Sequence, residues 1–280
     1  VAGNSDLTCV SGIYRNQWEG LDRDPNTSML TAHTYVDPFK GGVLLSVYQD
    51  ALGQEENFMA RLGYAYHMEP LSNGAIISAG LSATMFQKKL GNNWIAIDDY
   101  TQDAAIPNNE TSSSTIDLDF GVFIRKPGSF YAGLSATHLL EQELTDLSIQ
   151  PRRHIYAMGG YTHPLDGEYL LLRTNVLAKT DLAATIADIN VNVLWNQMVW
   201  GGLSWRPGDA VAPTVGFEYA MESSDRTSTS QQIFRLGYSY DATTSELSNY
   251  SSGSHEVFLS YCFKFETIPV MNRYANPRFL

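Results

Sequence analysis

Residues 57–69 alternate strictly between apolar side chains and polar or small ones. The even positions carry the apolar residues, and the odd positions include Arg61, His67 and Glu69. Because successive side chains of a β-strand point to opposite faces, this pattern predicts a strand with one apolar face and one charged face. Residues 116–125 and the segment near 257–266 repeat the pattern. The chain is therefore expected to be all-β.

The same alternation recurs along the whole chain and predicts about fourteen strands. Most of them are about ten residues long, which is enough to cross a bilayer at a tilt of roughly 45°. No helical periodicity of useful length appears. We place the strands at residues 6–18, 27–37, 42–50, 57–69, 75–88, 115–126, 129–139, 153–164, 168–179, 185–196, 198–206, 211–222, 231–241 and 255–266.

The lengths of the predicted connections differ between the two ends of the strands. Short connections fall at one end and include 38–41, 70–74, 127–128 and 165–167; long ones fall at the other and include 19–26, 89–114, 140–152 and 242–254. A closed transmembrane barrel has this asymmetry, with short periplasmic turns and long extracellular loops, whereas a soluble sandwich has no reason for it. Two connections depart from the rule: 223–230 is long for its end, and 207–210 is short.

The two faces of the predicted strands also favour a membrane barrel. Charged residues of both signs occupy one face, where they can pair in a hydrated lumen. Aromatic residues fall near strand ends, as expected of the rings that lie at the headgroup level of a bilayer. These aromatic residues are Trp18, Tyr64, Tyr66, Phe86, Trp195, Trp205, Tyr219, Tyr238, Tyr240 and Phe265.

Composition narrows the function classes. The 280 residues carry a net charge of -12 and contain no apolar run long enough for a transmembrane helix. No basic patch is visible, so nucleic acid is an unsuitable partner. The signatures of common enzymes, such as GxSxG, HExxH, a P-loop or paired CxxC, are missing. We therefore expect no enzymatic activity, no catalytic residues, no metal and no cofactor.

Several short motifs resemble the PorP/SprF family of Bacteroidetes. They are Tyr14-Arg15-Asn16-Gln17-Trp18 followed by Pro25 and Thr27, Tyr64-Ala65-Tyr66, Gly237-Tyr238-Ser239-Tyr240-Asp241, Ser252-Gly253-Ser254-His255-Glu256 and Asn276-Pro277-Arg278-Phe279. The resemblance implies an outer-membrane protein of the type IX secretion and gliding motility system. It also implies a partner, an adhesin-like surface protein that carries a C-terminal secretion domain and is exported or anchored at the cell surface.

The candidate site residues of these motifs are Arg15, Gln17, Trp18, Asp241, His255 and Glu256. Arg15 and Gln17 lie on the polar face of the first strand, and Asp241 and His255-Glu256 flank the last outer loop. The first and the last strands must be neighbours if the barrel closes. Two interpretations stay open. The residues form a network that holds the seam of the barrel together, or they orient outer loops that bind a secreted partner. A metal site at His255 and Glu256 is disfavoured because two ligands without a third are a poor site.

The two cysteines, Cys9 and Cys262, lie on the same pair of strands near the periplasmic end. An oxidising compartment permits a disulfide, but the strand register must bring the two Cα atoms within about 7 Å. Sequence does not fix that register, so two free, buried thiols are the expected state and a disulfide is the alternative.

The predicted barrel covers residues 1–267. Residues 268–280 contain Pro269 and Pro277 and do not alternate, so they are expected to form a periplasmic C-terminal tail. This tail is either disordered or docks onto the lumen or onto another secretion component. The function expected of the whole chain is a non-enzymatic scaffold for a secreted surface protein. A passive or selective pore for small solutes is the alternative, since about fourteen strands enclose a lumen.

Overall fold

The computed structural model describes residues 2–5, 7–93, 109–225 and 228–264, and these residues form fourteen strands. Short 3-10 helices lie at Asp37–Phe39 and Glu246–Asn249. The strands are β1 (Thr8–Asn16), β2 (Asn26–Val36), β3 (Gly41–Leu52), β4 (Glu55–His67), β5 (Ile76–Leu90), β6 (Thr111–Lys126), β7 (Phe130–Thr137), β8 (His154–Asp166), β9 (Leu170–Thr180), β10 (Thr185–Trp195), β11 (Val199–Arg206), β12 (Ala210–Asp225), β13 (Ser228–Thr243) and β14 (Ser254–Phe263).

The strands close into one antiparallel barrel. Each strand pairs with the next along the chain, and β1 pairs with β14. The closing pair, which we call the seam, runs from Thr8 opposite Phe263 to Asn16 opposite His255. Closure satisfies the backbone groups of both edge strands. The predicted fold class is confirmed. Within the described ranges, no helix is long and apolar enough to cross a membrane.

The outer surface of the barrel is apolar and the lumen is polar. On β4, Leu62 is 65% exposed and points outward, whereas Ala65 and His67 are 3% and 8% exposed and point inward. The same inversion holds on β6, where Ile116 is exposed and Asp117 is fully buried. Bilayer-spanning barrels have this arrangement because lipid contacts the apolar side chains and the lumen holds the polar ones.

The connections largely follow the predicted asymmetry. The end that we call periplasmic carries turns at 127–129, 167–169 and 196–198, and the outer end carries longer connections at 17–25, 91–110, 138–153 and 244–253. β12 and β13 extend further than predicted, which leaves two residues between them where we expected a loop at 223–230. Three outer connections are short, at 53–54, 181–184 and 207–209. The connection at 53–54 is short because β3 and β4 pair past their predicted ends, up to Leu52 opposite Glu55.

Aromatic side chains occupy both surfaces. Trp195 and Trp205 are half exposed on the outside, as predicted for an interfacial girdle. Phe86 was assigned to that girdle, and this assignment is wrong. Its position on β5 has lumen-facing parity, its side chain is buried, and its ring centroid lies 5.8 Å from that of His138. Trp200 also faces the lumen and lies flat over Gly216, where a Cβ would collide with the indole ring.

The amino-terminal segment, residues 2–5, lies against the lumen wall at the periplasmic end. The Ala2 carbonyl accepts a hydrogen bond from His67 Nε2 at 2.8 Å, and Ser78 Oγ lies 2.8 Å from His67 Nδ1. Ala2 is buried and packs closely on Gly42 of β3. The contact needs glycine on the strand, since a Cβ at Gly42 would collide with backbone atoms of Ala2 and Gly3.

Replacing Gly42 with alanine is therefore expected to detach this segment while the barrel stays intact. The overlap costs about 1–3 kcal/mol if the segment remains in place. Limited proteolysis by proteinase K, read by mass spectrometry, measures the release as faster trimming of the amino terminus. Gly12→Ala is the matched control, because a Cβ there meets only the Met29 carbonyl oxygen at 3.9 Å. Equal trimming of the two variants would contradict the prediction.

The predicted tail, residues 268–280, and the last predicted girdle residue, Phe265, lie outside the described residues. The same holds for the closing motif at 276–279.

Candidate functional site

An ionic cluster lies in the lumen at the outer end of the seam. Arg15 on β1 contacts Asp241 on β13 through Nη2 and Oδ2 at 2.6 Å, and it contacts Glu256 on β14 through Nη1 and Oε2 at 3.2 Å. Asp241 is almost fully buried, and its other oxygen accepts a hydrogen bond from Ser239 Oγ at 3.3 Å. Arg15 therefore links β1 to its neighbour β14 and to β13, the next strand on the same side.

A second arginine extends this cluster around the wall. Arg206 at the end of β11 contacts Asp188 at 2.7 Å, Asp209 at 2.8 Å and Asp241 at 3.6 Å. Its guanidinium reaches Asp241 across β12, where the lumen-facing residues are the small Ala210 and Ala212. We call these six residues the seam network: Arg15, Asp188, Arg206, Asp209, Asp241 and Glu256.

The seam network contains two cations and four carboxylates. Asp241 is the buried carboxylate among them, and a buried carboxylate is costly unless it is paired, so the two guanidinium groups that contact it stabilise the network. Arginine suits this bridging role, because the N–H groups of its planar guanidinium can donate to two carboxylates at once. The arrangement ties β1, β10, β11, β13 and β14 into one outer rim.

Gln17 and Trp18 lie above the seam network and contribute through their backbones. Gln17 N donates to the Pro25 carbonyl at 2.8 Å, and Trp18 N donates to Ser254 Oγ at 3.1 Å. Trp18 has a φ of 56°, which turns the chain over the seam. Beyond it, Glu19 N donates to the Gly253 carbonyl and Ser252 N donates to the Glu19 carbonyl. The connections 17–25 and 244–253 are thereby joined.

His255 faces away from the seam network. It follows strand alternation, so it points outward where its neighbour Glu256 points into the lumen. Its Nδ1 lies 2.7 Å from Tyr238 Oη, its Nε2 lies 3.1 Å from Glu19 Oε2, and its ring packs on Tyr240. The sequence motifs group His255 with Arg15 and Glu256, and the structure separates it from them. Its surroundings are those of a residue at the outer membrane interface.

The two cysteines form a disulfide across the seam. Cys9 lies directly opposite Cys262, with their Cα atoms 4.0 Å apart. Two free thiols are the state expected from the sequence, and the structure corrects that expectation. The reason is the register of the closing pair, which places both residues on the lumen face at the same height. The bridge lies at the periplasmic end of the seam, and Arg15 and Glu256 lie at its outer end.

Two members of the seam network had no signal that would single them out. Arg206 ends the predicted strand 198–206, where alternation with Trp205 gives its face but not the strands that its side chain reaches. Asp209 belongs to that turn. β11 and β13 both pair with β12, and the small alanines of β12 leave the path between Arg206 and Asp241 open.

The inverted surface, the closed sheet and the charged lumen define an outer-membrane β-barrel. The chain belongs to the family described as Type IX secretion system membrane protein PorP/SprF, which it matches over residues 1–261. The family resemblance drawn from the motifs is thus confirmed, and so is localisation in the outer membrane. A comparison with curated proteins finds no match.

Solved outer-membrane barrels resemble the fold at low sequence identity. A Pseudomonas aeruginosa FadL homologue superposes with a TM-score of 0.57 at 10% identity, covering 93% of this chain and 90% of that one. The TodX deltaS2S3 mutant monoaromatic hydrocarbon channel gives 0.54 at 9% identity, with 92% and 90% covered. The CymD monoaromatic hydrocarbon channel gives 0.52 at 8% identity, with 93% and 88% covered. These similarities concern the fold alone.

Proposed function

We propose that this barrel is a non-enzymatic scaffold of the type IX secretion system that binds an exported surface protein through its outer connections. The partner is an adhesin-like protein with a C-terminal secretion domain, which the barrel anchors or helps to export. Support comes from the family and from the way the outer connections are fastened to one another. We also propose that residues 268–280 contact a periplasmic component of the system.

The joined connections at the seam carry this proposal. Residues 17–25 and 244–253 are linked by backbone hydrogen bonds of 2.7 and 2.8 Å through Glu19. The seam network lies directly beneath them. A binding surface whose backbone is already ordered loses less conformational entropy on association than flexible loops do. Arg15 and Asp241 are positioning residues in this scheme, since they hold the platform and need not touch the partner.

Deletion of the gene in the native host tests the function. We expect at least one surface protein with a C-terminal secretion domain to leave the cell surface, and complementation with the wild-type gene to restore it. Quantitative proteomics of surface-shaved cells and of the culture medium measures both. An unchanged surface in the deletion strain contradicts the proposal.

A loop variant locates the contact. Residues 246–250, which include the 72% exposed Tyr250, are replaced by a Gly-Ser segment of equal length. This change keeps the contacts that Ser252, Gly253 and Ser254 make with the neighbouring loop. We expect the variant to fold and the surface protein to be lost from cells that carry it. A Gly-Ser segment of equal length in place of residues 71–73, a periplasmic turn, is expected to leave the surface protein on the cell. Retention by both variants would remove residues 246–250 from the binding surface.

A further inference from the structure

The connection between β7 and β8, residues 138–153, turns into the barrel. We call it the strap. It begins at His138, whose φ of 54° redirects the chain as β7 ends. His138 N then donates to Asp119 Oδ1 at 3.2 Å, Leu139 N to the Leu118 carbonyl at 3.0 Å, and Leu140 N to Asp117 Oδ1 at 2.9 Å. Three successive backbone N–H groups thus bind β6.

The two aspartates that hold the base of the strap face the lumen and are buried. Asp117 is fully buried, and the Nδ1 atom of His138 lies 3.4 Å from its Oδ2. Asp119 also contacts Arg61 Nε at 2.9 Å and accepts a hydrogen bond from Thr84 Oγ1 at 2.5 Å. A buried carboxylate keeps its partners because losing them leaves its charge uncompensated. The base of the strap is therefore fixed to the wall.

The middle of the strap folds inward along the lumen wall. Leu144 is 0% exposed, and its N–H donates to the Ile149 carbonyl at 2.8 Å. Ile149 and Pro151 line one cavity together with Tyr48 of β3, Met59 of β4 and Phe86 of β5. Those three side chains have lumen-facing parity. Across this cavity the strap therefore faces the inner wall from β5 to β3, which lies four strands from β7.

The strap is also closed on itself. Glu141 Oε1 accepts a hydrogen bond from Arg153 N at 3.1 Å, and the Glu141 carbonyl accepts one from Gln150 Nε2 at 2.9 Å. Arg153 Nη2 donates to the Leu139 carbonyl at 3.0 Å. The returning end is thereby held to the outgoing end, which fixes the shape of the strap.

From this geometry we propose that the strap is a fixed constriction that closes the outer mouth to small solutes, with Asp117 as the residue that holds it in place. The barrel is then a closed scaffold in its resting state. This inference goes beyond the proposed function, because a barrel could anchor a surface protein with an open or a closed lumen.

Conductance of the full-length protein in planar lipid bilayers tests the inference. We expect the wild-type barrel to be nearly silent. Replacing residues 142–150 with Gly-Ser-Gly is expected to raise the single-channel conductance at least about fivefold, since a pore conducts according to its narrowest section. Asp117→Ala removes the acceptor of Leu140 N, one of the three N–H groups that hold the base, without removing a partner of Arg61, and is expected to produce intermittent openings. Asp146→Ala, an exposed acidic residue of the same strap, is the matched control and stays silent.

The outcomes separate clearly. A large, steady wild-type conductance overturns the inference, and so does a shortened strap that remains silent while its heat-modifiable migration shows a folded barrel. Openings in Asp146→Ala equal to those in Asp117→Ala would also overturn the role of Asp117. The gene-deletion experiment measures surface proteins, and the bilayer experiment measures ion conductance. A negative result in one experiment therefore does not contradict the proposal that the other one tests.

Discussion

Both cysteines of the purified barrel are expected to resist alkylation until reductant is added under unfolding conditions. Cys9 and Cys262 are joined, buried and 253 residues apart in sequence. Closing a loop of that length removes conformational entropy from the unfolded chain worth about 5 kcal/mol. Cys9→Ser and Cys262→Ser should each lower the free energy of unfolding by an amount of that order. Mass measurement after alkylation, and urea unfolding in lipid vesicles followed by tryptophan fluorescence, measure the two effects.

The double variant is the control for this prediction. If the covalent link is the cause, Cys9→Ser with Cys262→Ser should be no less stable than either single variant, because each single change already removes the whole bridge. Addition of reductant should then lower the free energy of unfolding of the wild type and leave that of the double variant unchanged. Labelling of both thiols in the oxidised native protein would contradict the disulfide.

The strands and their faces could be predicted from the sequence because alternation is a local property. The inward position of Arg61 and the outward position of Leu62 follow from parity alone, and so does the lipid-facing strip of β4. Phe86 shows the limit of the aromatic signal, since proximity to a strand end does not say which face a ring occupies. Counting parity from Met85, which is exposed on the outer surface, would have placed it correctly.

Contacts between strands distant in the sequence could not be predicted in the same way. Pairing of Cys9 with Cys262 depends on the closing register, which all fourteen strands set together. The reach of Arg206 to Asp241 depends on two alanines of an intervening strand. The inward turn of the strap depends on buried aspartates of β6 whose partners are backbone N–H groups of a loop. Each is a property of the closed barrel and leaves little trace in local pattern.

Loss of Arg15 should be among the most destabilising single changes at the outer rim. Arg15→Met removes the group that neutralises Asp241 and Glu256 while keeping most of the side-chain volume. Breaking a buried pair by removing one partner costs about 3–5 kcal/mol. We expect a value near the lower end, because Glu256 is partly exposed and Arg206 remains 3.6 Å from Asp241. Urea unfolding in lipid vesicles and the temperature of heat-modifiable migration both measure the loss.

A second change in the same pair distinguishes an ionic role from a packing role. Asp241→Asn in the Arg15→Met background removes the uncompensated charge, so it should recover part of the lost stability, whereas Asp241→Asn alone should destabilise the barrel. Arg23→Met is the matched control, since Arg23 is exposed in the adjacent loop and its side chain donates a hydrogen bond of 3.3 Å to the Asn93 carbonyl. A double variant less stable than Arg15→Met would show that Arg15 acts through packing. Arg15→Met as stable as Arg23→Met would mean that the seam is held by its backbone pairing and the disulfide alone.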